Sequence, residues 1–169
     1  GNWLTTGPYV HAFEEELCKV TDARFAVAVS NGTAALHMAY AAAGLGPDDE
    51  IIVPAQTFSA TANAAIYLGA KVRFADVDET LTVDPDSVKR LVTARTKVIT
   101  AVSFAGQPAD MDRLSTIAGD CGAILVEDAA HAIGAEYKGR KTGTLADLTT
   151  FSFHPVKAIT AGEGGAVVT

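Results

Sequence analysis

Cysteine is scarce in this chain, and the two that occur, Cys18 and Cys121, form neither a CxxC pair nor a zinc-ligand pattern. A disulfide framework is thereby excluded, and two reduced thiols are what a cytoplasmic protein is expected to carry. Basic residues are also few: 13 Lys and Arg stand against 20 Asp and Glu, for a formal net charge of −7. No Lys/Arg cluster interrupts that balance, which disfavours nucleic acid and anionic membrane as partners. Long apolar runs are missing, so neither a signal peptide nor a membrane-spanning segment is expected within these residues. His11, His37, His131 and His154 have no metal-ligand spacing among them, and no metal is expected. The chain has no initiator Met and stops at Val167-Val168-Thr169 inside a strand-like run, as expected of a piece of a longer polypeptide.

What the sequence does have is a strict alternation of short apolar runs and helical stretches. With 169 residues and 49% apolar content, one domain with a substantial core is the default. Strands are expected at Phe25 to Val29, Glu50 to Pro54, Lys71 to Val77, Lys97 to Phe104, Ala123 to Val126, Leu148 to Phe153 and Ala166 to Thr169. Helices are expected at Tyr9 to Val20, Ala34 to Ala43, Thr57 to Leu68, Pro85 to about Val92 and Asp110 to Gly119. Glycines 44 and 69 stop two of them, and Pro85 opens a third. Most strands are apolar without alternation, which implies that both faces are covered: an α/β domain with a seven-stranded, mostly parallel sheet between helices. Residues 1–20 read as an entry segment with one helix, and 21–169 as the domain proper.

In such a sheet, ligands bind beyond the C-terminal ends of the strands, and that rule sorts the polar residues. Ser30-Asn31-Gly32-Thr33 follows the first strand and opens a helix, where free amides and the positive helix end suit a phosphate. The same four residues could simply cap the helix. A dinucleotide loop is disfavoured, since GxGxxG is absent after that strand. Asp128 ends the fifth strand, and side-chain alternation sets it and Glu127 on opposite faces, so that one of the two meets a ligand. A helix cap or a magnesium ligand are the other readings of Asp128, and His131, three residues on, is either a further contact or structural. Phe58, at the start of the second helix of the alternation, either lies over a flat heterocycle or packs in the core. Lys157 stands in Ser152-Phe153-His154-Pro155-Val156-Lys157, before the glycine-rich Ala161 to Gly165 and between two buried strands. A lysine in that setting is a candidate nucleophile toward an aldehyde. A lysine amine, a buried aspartate and a phosphate cradle are together what pyridoxal phosphate requires of a protein.

Several separated motifs then agree. Thr5-Thr6-Gly7-Pro8, Ser30 to Leu36, Pro54 to Phe58, Gly106-Gln107-Pro108-Ala109-Asp110, Glu127 to His131 and Ser152 to Gly165 resemble, in order and spacing, the DegT/DnrJ/EryC1/StrS sugar aminotransferases. The resemblance covers essentially the whole chain. It implies the aspartate aminotransferase-like (fold type I) large domain, with the smaller C-terminal domain absent, and a cytoplasmic homodimer whose two subunits share each active site. By the same resemblance Lys157 is the lysine joined to the cofactor and Asp128 the partner of its pyridine nitrogen. Phe58 matches the position that stacks on the ring, Gly32, Thr33 and Ser152 the phosphate site, and His131 a position near the phenolic oxygen. The implied activity moves an amino group, with glutamate as donor, to a nucleotide-linked 4-keto-6-deoxy sugar. The wording from Ser152 to Lys157 is closest to the branch that aminates a UDP-linked N-acetylhexosamine toward pseudaminic acid. Alternatives within and beside the family are a nucleotide-sugar dehydratase, in which histidine replaces the lysine, and a non-catalytic cofactor-binding domain.

Overall fold

The computed structural model describes residues 7–169. Thr5 and Thr6 of the first motif, and the start of the entry segment, lie outside the described residues. The elements run α1 (Pro8–Thr21), β1 (Ala26–Val29), α2 (Gly32–Ala42), β2 (Glu50–Pro54), α3 (Ala60–Tyr67), β3 (Lys71–Ala75) and α4 (Pro85–Leu91). They continue with β4 (Thr96–Val102), α5 (Met111–Cys121), β5 (Ile124–Asp128), β6 (Glu136–Tyr137), β7 (Arg140–Lys141), β8 (Leu148–Ser152) and β9 (Gly165–Val168).

Seven strands form one sheet in the order β1-β9-β8-β5-β4-β2-β3. β9 is antiparallel to both neighbours and every other pair is parallel, as expected of a mostly parallel sheet. Each parallel strand has a helix or loop to cover it, which is why β2 is apolar from Ile51 to Pro54, and all five of its residues, Glu50 included, are buried. Packing separates cleanly by strand parity. Val98 of β4, Val126 of β5 and Val167 of β9 pack with α2 and α3. Ile99, Ala101 and Leu125 face the other way, toward α4 and α5. On that same side Leu17 of α1 meets Phe151, Phe153, Ala166 and Val168. Fully buried side chains such as Ile51, Ile52 and Ile99 each contribute about 1.5–3 kcal/mol by leaving water.

The boundaries differ from the sequence expectation where local chemistry intervenes. The fourth strand stops at Val102 rather than Phe104, because Ala105 (φ 52°) and Gly106 (φ 87°) take left-handed backbone in a tight turn. The helix expected from Thr57 begins at Ala60, which leaves Thr57 and Phe58 in the turn before it. The fifth strand runs on to Asp128, which pairs with Val102 and Thr150. Within the segment read as loop, Gly134 to Gly143, β6 and β7 form a small hairpin. Its turn is Lys138-Gly139 with both φ positive, 51° and 77°. Lysine at the first position hides the Asn-Gly or Asp-Gly signal by which such turns are recognised.

Candidate active site

The parallel strands deliver their C-terminal ends to one side of the sheet, and the reversed β9 brings its first residue, Gly165, to that same side between Val29 and Ser152. A cavity of about 460 Å³ opens there. Gly32, Thr33, Phe58, Asp128, His131, Ser152 and Lys157, singled out from the sequence, all line it. Glu127 does not, because it lies on the opposite face of β5, where it contacts Ser103 and Thr149.

At one wall is the start of α2. Asn31 caps the helix by accepting the Ala34 amide at 2.8 Å, and the first helical amides, those of Gly32 and Thr33, have no acceptor within the helix. This turn is seated on the sheet without room for side chains. A Cβ on Gly32 would lie 2.8 Å from Ser152 Cβ, and one on Gly165 would lie 2.4 Å from the Asn31 carbonyl carbon and oxygen. The result is a concave rim of amides with the Thr33 and Ser152 hydroxyls beside it, at the positive end of a helix of 11 residues.

Asp128 forms the floor and is 5% exposed. Its Oδ2 accepts from Thr61 Oγ1 at 2.8 Å and its Oδ1 from the Ala130 amide at 3.2 Å. Burial pushes this carboxyl above its usual range, and those hydrogen bonds with the charges of His131 and Lys157 act against the shift. A buried carboxylate with no arginine against it is suited to a cationic ligand atom. His131 is held on the low side by burial and then by the Lys157 cation, with Asp128 acting against that shift. Since Nδ1 accepts the Ala105 amide at 3.3 Å, the ring proton sits on Nε2. Lys157, half-buried, lies in the connection from β8 to β9, which is fastened at its base by Phe153 N to Gly164 O and Ala161 N to Phe153 O. Phe58 is 76% exposed at the rim and therefore not the core residue that was its other reading.

Among the further lining residues that escaped the sequence reading as site residues are Thr57, His154 and Glu163. His154 Nε2 and Glu163 Oε1 stand 3.8 Å apart across the Lys157 connection. For Thr57 a signal existed in its spacing of four from Thr61, to which it is hydrogen-bonded at 2.7 Å. Among the described residues no group of His, Cys, Asp and Glu is arranged to hold a metal ion.

Comparison with known proteins agrees with this geometry. The model of the DegT/DnrJ/EryC1/StrS aminotransferase family matches residues 1–169. The chain belongs to that family. Among curated relatives, the spore coat polysaccharide biosynthesis protein SpsC of Bacillus subtilis (strain 168) is 46% identical over 168 residues, 99% of this chain and 43% of SpsC. Of solved structures, 3-amino-5-hydroxybenzoic acid synthase superposes with a TM-score of 0.94 at 49% identity, over 96% of this chain and 42% of that one. Spr1654 of Streptococcus pneumoniae, named as a sugar aminotransferase and solved in a PLP form, gives 0.96 at 35% identity over 99% of this chain and 47% of its own. Helicobacter pylori PseC, an aminotransferase of pseudaminic acid biosynthesis, gives 0.94 at 32% identity over 100% of this chain and 46% of its own. The sheet is thus that of the fold type I aminotransferases, and the chain spans less than half the length of the relatives it matches.

The residues present fit pyridoxal phosphate. An anion cradle kept open by glycine, a buried carboxylate for a ring cation and a lysine amine face one cavity of suitable size.

Proposed function

We propose that the chain is the pyridoxal phosphate-binding part of an aminotransferase that moves an amino group from glutamate to a nucleotide-linked keto sugar. The observation that carries this reading is the convergence of Lys157, Asp128 and the Gly32-Thr33 turn on one cavity at the strand ends. Gly32, Thr33 and Ser152 would hold the phosphate, Phe58 would cover the ring, Asp128 would face its nitrogen, and Lys157 would hold the aldehyde through Nζ. When bound, the cofactor supplies an aldehyde that exchanges with amines and a ring that accepts electron density from the reacting carbon. With the cofactor bound, an ionised Asp128 would favour a proton on the ring nitrogen, His131 would offer Nε2–H as a donor, and the Lys157 amine would be the group placed to take up and return a proton at the reacting carbon. Lysine at 157, where the family's sugar dehydratases carry histidine, favours transfer over dehydration.

Glutamate and the sugar are matters of chemistry that a panel decides. SpsC, named for polysaccharide biosynthesis, supports a sugar substrate. PseC, at 32% identity, supports the narrower proposal of a UDP-linked 4-keto-6-deoxy-N-acetylhexosamine aminated at its fourth carbon. Two unpaired thiols, Cys18 and Cys121, and the lack of a helix long and apolar enough to span a membrane among the described residues fit our proposal of a cytoplasmic enzyme. We also propose that it works as a homodimer. The test is incubation of the full-length protein with pyridoxal phosphate, glutamate and UDP- and dTDP-4-keto sugars, read by product mass. Amination of a nucleotide sugar is expected; transfer only between small amino and keto acids would refute the sugar substrate and leave Lys157 and the cofactor standing.

A further inference from the structure

Thr61 is wholly buried in the first turn of α3, where a threonine facing solvent would have little consequence. Its hydroxyl instead lies between a carboxylate and a second hydroxyl. Oγ1 donates to Asp128 Oδ2 at 2.8 Å and is 2.7 Å from Thr57 Oγ1. Its carbonyl accepts from the Tyr40 hydroxyl at 3.0 Å, and that hydroxyl is 3.1 Å from Thr100 Oγ1. Tyr40 and Thr100 are themselves fully buried, so Thr61 is fastened from behind while its hydroxyl faces the floor of the cavity.

We propose that Thr61 is the positioning residue of Asp128 and that the hydroxyl chain from Thr57 through Thr61 to Asp128 runs in one direction only. A hydroxyl has one proton to give. An ionised Asp128 accepts, so Thr61 spends its proton on Oδ2, and Thr57 must spend its own on Thr61 Oγ1. Thr57, which lines the cavity, is then left with a lone pair there and acts toward a ligand as an acceptor. Asp128 keeps one rotamer, with Oδ1 tied to the Ala130 amide and Oδ2 to Thr61. Among the described residues Thr61 is the one side chain that donates a hydrogen bond to this carboxylate, which also faces the Ala130 amide, His131, Lys157, the Tyr40 phenol and, across β5, Glu127. Losing such a charge-assisted bond from a buried carboxylate costs about 1.5–3 kcal/mol, about ten- to a hundredfold in an equilibrium governed by that charge.

The inference rests on the reading of Asp128 as the partner of the ring nitrogen, and the experiment separates the two. Full-length protein is loaded with pyridoxal phosphate labelled with ¹⁵N in the ring, and the ring-nitrogen resonance and the cofactor dissociation constant are measured. The set is parent, Thr61→Val, Thr61→Ser and Asp128→Asn, with Thr61→Ala as the variant used should valine not fold. In the cofactor-free protein the ¹³C-carboxyl titration of Asp128 is followed as well. We expect Thr61→Val to move the ring nitrogen toward its unprotonated position, to raise the dissociation constant about tenfold and to raise the midpoint of the Asp128 titration, with Thr61→Ser restoring all three. Parental behaviour of Thr61→Val, or a Thr61→Ser variant as impaired as valine, would overturn the positioning role. An Asp128→Asn variant with the parental ring-nitrogen resonance would instead overturn the assignment of Asp128.

Discussion

Two buried glutamates show how the surroundings of a single residue set its charge. Glu50 is 1% exposed and meets Arg95 at 2.8 Å, Arg73 at 3.0 Å and Thr93 at 2.9 Å; these bonds lower its carboxyl to about 2. Glu127 is 0% exposed and meets only the hydroxyls of Ser103 and Thr149 and the Gly143 amide, so burial raises its carboxyl to about 7. The consequences for stability have opposite signs. Glu50 stabilises above its unfolded value, near 4.5, and that contribution is lost as pH falls toward 2. Glu127 is stabilising when protonated, and its contribution is lost as pH rises from about 4.5 through 7. Glu127→Gln stays neutral and keeps an acceptor oxygen, so the variant should gain on the parent by about 1–3 kcal/mol between pH 4.5 and pH 8. Urea unfolding across that range measures the difference, and a gap that does not change with pH would show that Glu127 is ionised in the folded chain. The lysine assignment is tested just as locally. Borohydride treatment of cofactor-loaded protein should fix the cofactor on the peptide containing Lys157, and Lys157→Ala should lower turnover by at least about 10²–10⁴-fold. Label on Lys138 or Lys141 would end the assignment; in the fold these two pair with Asp112 and Asp22, on the surface.

At the level of elements, the close seating of the Asn31-Gly32 turn on β8 and β9 shapes the rim of amides proposed to hold the phosphate. Gly165→Ala places a methyl 2.4 Å from the Asn31 carbonyl, so either β9 or the turn must shift. We expect a loss of about 1–3 kcal/mol in stability together with weaker cofactor binding. Gly119→Ala, in α5 with nothing within 4 Å of the added methyl, is the control and should stabilise by about 0.5–1 kcal/mol. Thermal unfolding and cofactor titration of both variants check the pair; equal behaviour would mean that the cradle is not under this constraint. The order of elements was legible because most strands carry an apolar run and the helices between them are closed by glycine, opened by proline or held by a polar cap, as at Ile51 to Pro54, Gly69 and Pro85. The small β6–β7 hairpin was not, since two-residue strands have no periodicity to read and Lys138 masks the turn. The start of α3 was misplaced by three residues because Thr57-Phe58-Ser59 is chemically compatible with a helix; the three precede its first residue, Ala60. The residues that come to line the cavity could be singled out one by one at strand ends. The network behind Asp128 could not, because a buried Thr61 looks like any helical threonine until Tyr40 and Thr57 are placed around it.

For the whole molecule, the balance of charge in the cavity says what else a complete enzyme must supply. The three apolar clusters of the sheet are built from residues of this chain, and we expect them to support cooperative folding. The cavity wall is a different matter. Lys157 is the one lysine, and no arginine lines the cavity among the described residues, while Asp128 and Glu163 add negative charge. In the proposed reading backbone amides would serve the cofactor phosphate, but a nucleotide diphosphate sugar would bring two more charged phosphates that bind well only beside fixed cations. Phe58 and Val156, 76% and 77% exposed at the rim, likewise leave apolar surface for another segment or subunit to cover. Since the chain covers 43% of SpsC, there is ample sequence in the relatives to provide both. We therefore expect residues Gly1 to Thr169 alone to unfold cooperatively and to bind pyridoxal phosphate, yet to aminate no nucleotide sugar at a rate measurable against the full-length protein. Calorimetry, visible absorbance and product mass on the two proteins side by side test this, and full-length turnover by the shorter chain would mean that Lys157, His131 and His154 suffice to hold the diphosphate.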